Sequence, residues 1–212
     1  GFIQLCADQR LTYMAGLLIG KNVCIDNDTL KKQQALCRSF AERYKNVPDL
    51  IYYLNGDFRL DLADTEDIRA LWNQFLATRY ADAASLNEAW KSEGFPAPGA
   101  VPVQEYAAQG WYDLHARDLN EFKALLMNRW IQALIVAIRE EDPHHPITSE
   151  YYQHPFSGID LRNSLGGQYA SNFGYFDRPN LDRARFAATA RMYDMRREGK
   201  ALHVGEFGVK TH

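Results

Sequence analysis

Three carboxylates follow or end predicted strands in this 212-residue chain, and paired carboxylates can cleave a glycosidic bond. Asp57 comes three residues after the apolar run that ends at Leu54, Glu150 lies late in the run 146–152, and Glu206 follows His203 by three residues. In a parallel α/β barrel the reacting groups cluster at the carboxyl ends of the strands. Carboxylates on different strand ends can flank one bond, with one attacking as an anion and the other donating a proton.

The elements that must position these groups alternate along the chain. Short apolar runs predict strands at Gly1–Ala7, Leu50–Leu54, Pro146–Tyr152, near Gly167–Tyr169 and at Ala201–Gly205. Apolar stripes at helical spacing predict helices at about residues 29–45, 64–80, 118–142 and 180–198, and a short one from a Ser85–Glu88 capping box to Trp90. Asp118 is the expected N-cap of the longest helix. This alternation favours a parallel sheet covered by helices.

Residues 92–117 contain three prolines and three glycines, which predicts an irregular segment. No linker divides the chain. We therefore expect residues 1–212 to be part of a single catalytic domain, with an inserted helical and loop excursion at about 60–117.

Composition excludes several partners. The net charge of −3 leaves no electrostatic footprint for nucleic acid, and no apolar run approaches a membrane span. Cys6, Cys24 and Cys37 have no metal spacing and are expected to be reduced and mostly buried thiols. The first residue is Gly rather than Met, so the compartment stays undetermined.

Other chemistries lack their motifs. The histidines, including His144, His145 and His203, show no metal-ligand spacing, and no G-x-S-x-G elbow, P-loop or G-x-G-x-x-G is present. No cofactor and no metal are expected.

Four segments carry a family resemblance. They read FAERYKNVPDLIYYLN at 40–55, LWNQFLATRY at 71–80, SLNEAW at 85–90 and HVGEFG at 203–208, and the helix 118–142 continues into DPHHPIT. Together they resemble the clan of retaining (β/α)8-barrel glycoside hydrolases that includes families 5, 42 and 2. The resemblance covers the third to the seventh strand of that barrel.

The resemblance implies roles for the strand-end residues. Glu206 matches the clan's nucleophile on the seventh strand, and its alternative role is an ordinary salt bridge. The clan places its acid/base directly after the Asn of the fourth strand, whereas Asn55 is followed here by Gly56 and Asp57. Asp57 is therefore one candidate for the acid/base and Glu150 the other. A third alternative is that the acid/base is absent.

Further residues are candidates for substrate binding. Asn55 would bind a sugar 2-hydroxyl if the clan role carries over, and Tyr169, Asn172 and Tyr175 could line the pocket or pack in its rim. Trp111 is the preferred sugar platform, because Trp72 and Trp130 lie on helical stripes that favour the core.

A complete barrel of this kind takes about 250 residues. We therefore expect an incomplete (β/α)8 barrel that lacks the first two strands and the last, with the rest of a longer chain as partner and an oligo- or polysaccharide as substrate. The alternatives are a carbohydrate-binding barrel without catalysis and a barrel enzyme of unrelated chemistry.

Overall fold

The structure, a computed structural model, describes residues 1–17, 26–54, 60, 62, 64–104 and 113–150, with the backbone of four short strands beyond them. Two compact units make up the chain. One comprises Gly1–Arg59 with Leu126–His212, and the other comprises Leu60–Leu125. The predicted helix at 180–198 and Cys24 lie outside the described residues.

A parallel sheet forms the centre of the first unit. Its strands follow the order β1-β2-β3-β4-β6, and every neighbouring pair is parallel. They are β1 (Tyr13–Gly16), β2 (Leu50–Tyr53), β3 (Ile147–Glu150), β4 (Tyr169–Ser171) and β6 (Ala201–His203). A second parallel pair joins β5 (Tyr175–Phe176) to β7 (Gly208–Val209). The predicted parallel sheet is confirmed.

The first helix corrects a prediction. The run at Gly1–Ala7 was expected to be a buried strand, but it forms α1 (Phe2–Asp8), with Phe2 and Leu5 more than half exposed. The first strand comes later, at Tyr13–Gly16. Short apolar runs fit either period. Here the backbone N–H groups of Leu5 and Gln9 donate to the carbonyls of Gly1 and Leu5, and the Gln4 side-chain amide donates to the Asp8 carboxylate, which completes a helix.

Helix α2 (Asn27–Tyr44) confirms the prediction for residues 29–45. Asp26 caps it by accepting hydrogen bonds from the backbone N–H groups of Asp28 and Thr29. Cys37 and Ala41 are fully buried, whereas Leu36 is 44% exposed. Burial raises the pKa of the Cys37 thiol to about 12, so this thiol is protonated and unreactive at neutral pH.

The second unit contains α3 (Glu66–Ala77), α4 (Ala83–Trp90) and the start of α5 (Leu114–Arg139). The capping box of α4 was expected at Ser85–Glu88 and instead joins Asp82 to Ser85, because the helix starts earlier than the sequence suggested. Trp72 is 1% exposed and packs against Phe75, Trp90 and Phe122. In the other unit Trp130 is equally buried, so both predicted core tryptophans are confirmed.

A buried side chain, that of Asn73, fixes part of the irregular segment after α4. Asn73 accepts hydrogen bonds at Oδ1 from the backbone N–H groups of Gly99 and Val101, and donates from Nδ2 to the Val101 carbonyl. Its second Nδ2 contact is the carbonyl of Arg69, one turn earlier in α3. Residues 99–101 are therefore fixed to α3 although they form no regular structure.

Asp118 does not cap α5. The helix begins one turn earlier, so Asp118 lies inside it, 3% exposed. Its carboxylate accepts hydrogen bonds from Arg79 Nη1 (2.7 Å), the Tyr80 hydroxyl (2.5 Å) and Trp90 Nε1 (2.8 Å). Burial, followed by the hydrogen bond to Asp118, raises the pKa of Tyr80 to about 12. The charge can be buried because three donors surround it.

No helix in the described part of the chain has the length and hydrophobicity needed to cross a bilayer.

We expect Asp118→Ala to lower the free energy of unfolding by about 2–4 kcal/mol, because the Tyr80 hydroxyl and the Trp90 indole N–H lose their acceptor and Arg79 loses one of its two partners. Glu121→Ala is the matched control, since Glu121 also pairs with Arg79 but its side chain is 48% exposed. That change should cost no more than about 1 kcal/mol. Urea denaturation of both variants measures the difference, and equal losses would contradict a central role for Asp118.

Candidate active site

The strand ends where the sequence placed its candidate residues lie side by side in the sheet. Glu150, Ser171 and His203 end β3, β4 and β6, and they are register partners across the three strands. Carboxyl ends of parallel strands meet at one edge, which is the edge where α/β barrels carry out chemistry. Ser171 was not singled out from the sequence, because strand register cannot be read from a single strand.

The predicted residues fall into two groups. Glu150 is the last residue of β3, Tyr169 opens β4, and Tyr175 opens β5 opposite Gly208. The others lie outside the described residues; they are Asn55, Asp57, Trp111, Asn172 and Glu206.

A buried carboxylate lies at the opposite, amino-terminal end of β3. Asp142 is 1% exposed and accepts a hydrogen bond from the Tyr52 hydroxyl at 2.6 Å. The backbone N–H groups of His144 and His145 donate to its other oxygen at 3.0 and 3.1 Å. His145 Nδ1 lies 2.5 Å from Asp142 Oδ2, and its Nε2 lies 2.8 Å from the Val47 carbonyl. We call Tyr52, Asp142 and His145 the Asp142 network.

The electrostatics of the network follow from these donors. Burial opposes the charge on Asp142, but hydrogen bonds from Tyr52, His144 and His145 outweigh it and lower the pKa of Asp142 to about 2. Burial, followed by the bond to Asp142, raises the pKa of the Tyr52 hydroxyl. Arg139 Nη1 donates to the carbonyls of Asp142 and His145, which closes the loop before β3.

The sequence pattern predicts Asp142 only as the last residue of the longest helix. Helix α5 ends at Arg139, and Asp142 instead organises the turn into β3. Tyr52 is 90 residues away along the chain, so no local pattern could reveal the contact.

Within the described residues, no group of three or more His, Cys, Asp or Glu side chains could hold a metal ion.

The fold and the candidate site are those of a parallel α/β protein with polar residues at the carboxyl ends of its strands. The sequence profile of glycoside hydrolase family 42, described as beta-galactosidase, matches residues 17–206. The chain belongs to this family, and the clan resemblance seen in the sequence is confirmed. No curated protein matches the chain in sequence.

Solved TIM-barrel glycosidases share the fold. A beta-galactosidase from Bacillus circulans sp. alkalophilus matches with a TM-score of 0.61 and 16% identity, over 80% of this chain and 26% of its own. One from Rahnella sp. R3 gives 0.59 and 20%, over 79% and 26%. An agarase gives 0.66 and 11%, over 97% and 33%. The chain therefore spans about a quarter to a third of these structures.

We expect the Asp142 carboxylate to stabilise the protein in a pH-dependent way. Its pKa of about 2 lies below the ordinary 3.8, so its stabilisation is complete above about pH 4 and is lost as the pH falls through 2. Asp142→Asn should lower the free energy of unfolding by about 2 kcal/mol at pH 7.

Thermal or urea unfolding across pH 2–7 tests this expectation. The difference in the free energy of unfolding between wild type and Asp142→Asn should become smaller as the pH falls from 4 to 2, because the wild-type carboxylate then becomes protonated. Asp8→Asn, which changes an exposed carboxylate of α1, is the control and should leave the curve nearly unchanged. A gap that is constant with pH would contradict the assignment.

Proposed function

We propose that this chain carries the catalytic site of a retaining glycoside hydrolase that cleaves a β-linked glycosidic bond, with a terminal β-galactoside as the first substrate to test. The family match over residues 17–206 is the observation that carries the proposal, because it includes all three candidate carboxylates. The solved relatives named as beta-galactosidases support the choice of sugar.

The sheet supports an incomplete barrel. Five adjacent parallel strands are what the third to seventh strands of a (β/α)8 barrel would form, with β1 rather than the run at Gly1–Ala7 as the third. The first two strands and the last would then belong to the rest of a longer chain. The compact unit Leu60–Leu125 supports an excursion inserted after the fourth strand into a single catalytic domain.

The proposed reaction has two steps. The acid/base protonates the glycosidic oxygen while the Glu206 carboxylate attacks the anomeric carbon, so that the leaving group departs and a glycosyl ester forms. In the second step the acid/base, now a carboxylate, takes a proton from water, and the water oxygen displaces Glu206 from the anomeric carbon. In this proposal Asn55 binds the 2-hydroxyl, and Tyr169, Asn172 and Tyr175 contact the sugar.

Two residues compete for the acid/base role. Asp57 follows Asn55 by two positions, near the place where the clan has its acid. The sheet supports Glu150, because Glu150 ends β3, the strand that pairs with β2, and Asn55 follows β2 by two residues in the sequence. A carbohydrate-binding barrel without catalysis is the second candidate function, favoured by the departure at Asn55-Gly56-Asp57.

We expect Glu206→Gln to lower kcat by about 10³-fold or more, because the amide cannot form the glycosyl ester. Glu206→Gly should regain turnover with azide, which fits the vacated space and gives a glycosyl azide of inverted configuration. Hydrolysis of an aryl β-galactoside, with the product anomer read by NMR, measures both effects. Glu42→Gln, on the exposed face of α2, is the control. Unchanged turnover in Glu206→Gln would remove Glu206 from the nucleophile role.

The acid/base should be revealed by its dependence on the leaving group. Replacing the true acid by Ala, in Asp57→Ala or Glu150→Ala, should lower the rate of hydrolysis about 10²–10⁴-fold for a substrate with a poor phenol leaving group. A dinitrophenyl leaving group needs no proton. With a dinitrophenyl substrate the same variant should therefore lose far less of its rate in the glycosylation step. Only the true acid/base variant should give a retained glycosyl azide. Binding of galactosides by a wild-type protein that cleaves none of them would favour the non-catalytic barrel.

A further inference from the structure

The Asp142 network has a feature that stabilisation of the fold does not require. A buried carboxylate costs free energy unless it is fully hydrogen-bonded, and apolar residues of similar size often stabilise a core as well. Asp142 nevertheless uses four hydrogen bonds from two different segments, namely β2 and the turn that enters β3. What these bonds determine is how the two segments are placed relative to each other.

The network lies at the point where β2 and β3 begin to pair. The Tyr52 side chain donates to Asp142, and the Tyr52 backbone N–H donates to the Pro146 carbonyl at 2.9 Å. Tyr52 is the register partner of Ile147, and the Leu54 N–H donates to Thr148 at 2.9 Å. A slip of one residue would move the Tyr52 hydroxyl away from Asp142 and send every following side chain to the other face.

The contacts of the Tyr52 ring and of His145 favour one arrangement of the Asp142 network. The Tyr52 ring is fully buried and packs edge-on against Phe40 and His145. His145 is held at both ring nitrogens, by Asp142 and by the Val47 carbonyl. The hydroxyl of Tyr52 therefore meets a fixed acceptor, and the network defines one register of β2 against β3.

We propose that Tyr52 and Asp142 are positioning residues for the glycosidase site, acting through the register of β2 against β3. This inference rests on the proposed function. Asn55 comes three residues after Tyr52, and Glu150 ends β3 three residues after Ile147. The network thus sets the register of β2, which Asn55 and Asp57 follow in the sequence, against β3, which ends at Glu150. Displacement of catalytic groups by about 1 Å can cost about 100-fold in rate.

Tyr52→Phe in the intact protein tests the proposal, because it removes one hydroxyl and keeps the buried ring. We expect kcat per active site on an aryl β-galactoside to fall about 10-fold with KM changed less than about 2-fold. Active sites are counted with a slowly turned-over 2-fluoro galactoside, at a temperature where circular dichroism shows the variant fully folded. A residue that only stabilises the fold would leave this kcat unchanged.

Two further variants sharpen the test. Ile131→Val, a buried change in α5 away from the network, is the control and should keep the wild-type kcat. Asp142→Asn should lower kcat like Tyr52→Phe, and the double variant should lose little more than either single one, because both break the same link.

The outcomes separate the two proposals. A wild-type enzyme that cleaves galactosides, together with a Tyr52→Phe variant whose kcat stays within 2-fold, overturns the positioning role and leaves the glycosidase function intact. If the kcat losses of the two single variants multiply in the double variant, Tyr52 and Asp142 do not act through a shared link. A wild-type protein without turnover on any aryl glycoside refutes the glycosidase function, and the positioning role fails with it.

Discussion

The arrangement of β2 against β3 depends on the burial of the Asp142 charge. An ionised carboxylate that is 1% exposed is tolerated only when donors replace water around it. Those donors come from Tyr52 on β2 and from the turn before β3. The turn must therefore close beneath β2, which fixes where β3 starts. The carboxyl end of β3, where Glu150 lies, depends on that starting point.

The unit Leu60–Leu125 uses the same physical device within itself. Asp118 lies inside α5 and takes donors from α4 and from Arg79 and Tyr80, just after α3. Asn73 is an uncharged example, because its side-chain amide oxygen accepts hydrogen bonds from the backbone N–H groups of Gly99 and Val101. Each unit thus contains a buried polar residue whose partners lie far along the chain, surrounded by an aromatic or aliphatic core. Such residues specify one arrangement among the many that an apolar core would permit.

Membership of family 42 and the likeness to remote glycosidases agree with this arrangement of strands. Low identity is compatible with a common fold because a parallel sheet needs apolar strands and covering helices, which many sequences provide. Function requires more, namely particular residues at particular strand ends. The departure from the clan pattern at Asn55-Gly56-Asp57 follows β2 in the sequence, and Glu150 ends the neighbouring strand β3. The proposed acid/base role is therefore the point at which this chain departs from the clan pattern.

The sequence by itself determined the elements with a clear period and the family. Apolar spacing predicted α2, β2, the buried stripe of α5 and the core positions of Trp72 and Trp130, because periodicity is a local property. Only the tertiary structure decided that the first apolar run is a helix, that Asp82 rather than Ser85 opens the capping box, and that Asp118 and Asp142 are buried. Their partners stand up to 90 residues away, as Tyr52 does from Asp142. A carboxylate carries no local sign of the donors that will surround it, so its role depends on how the strands and helices come together.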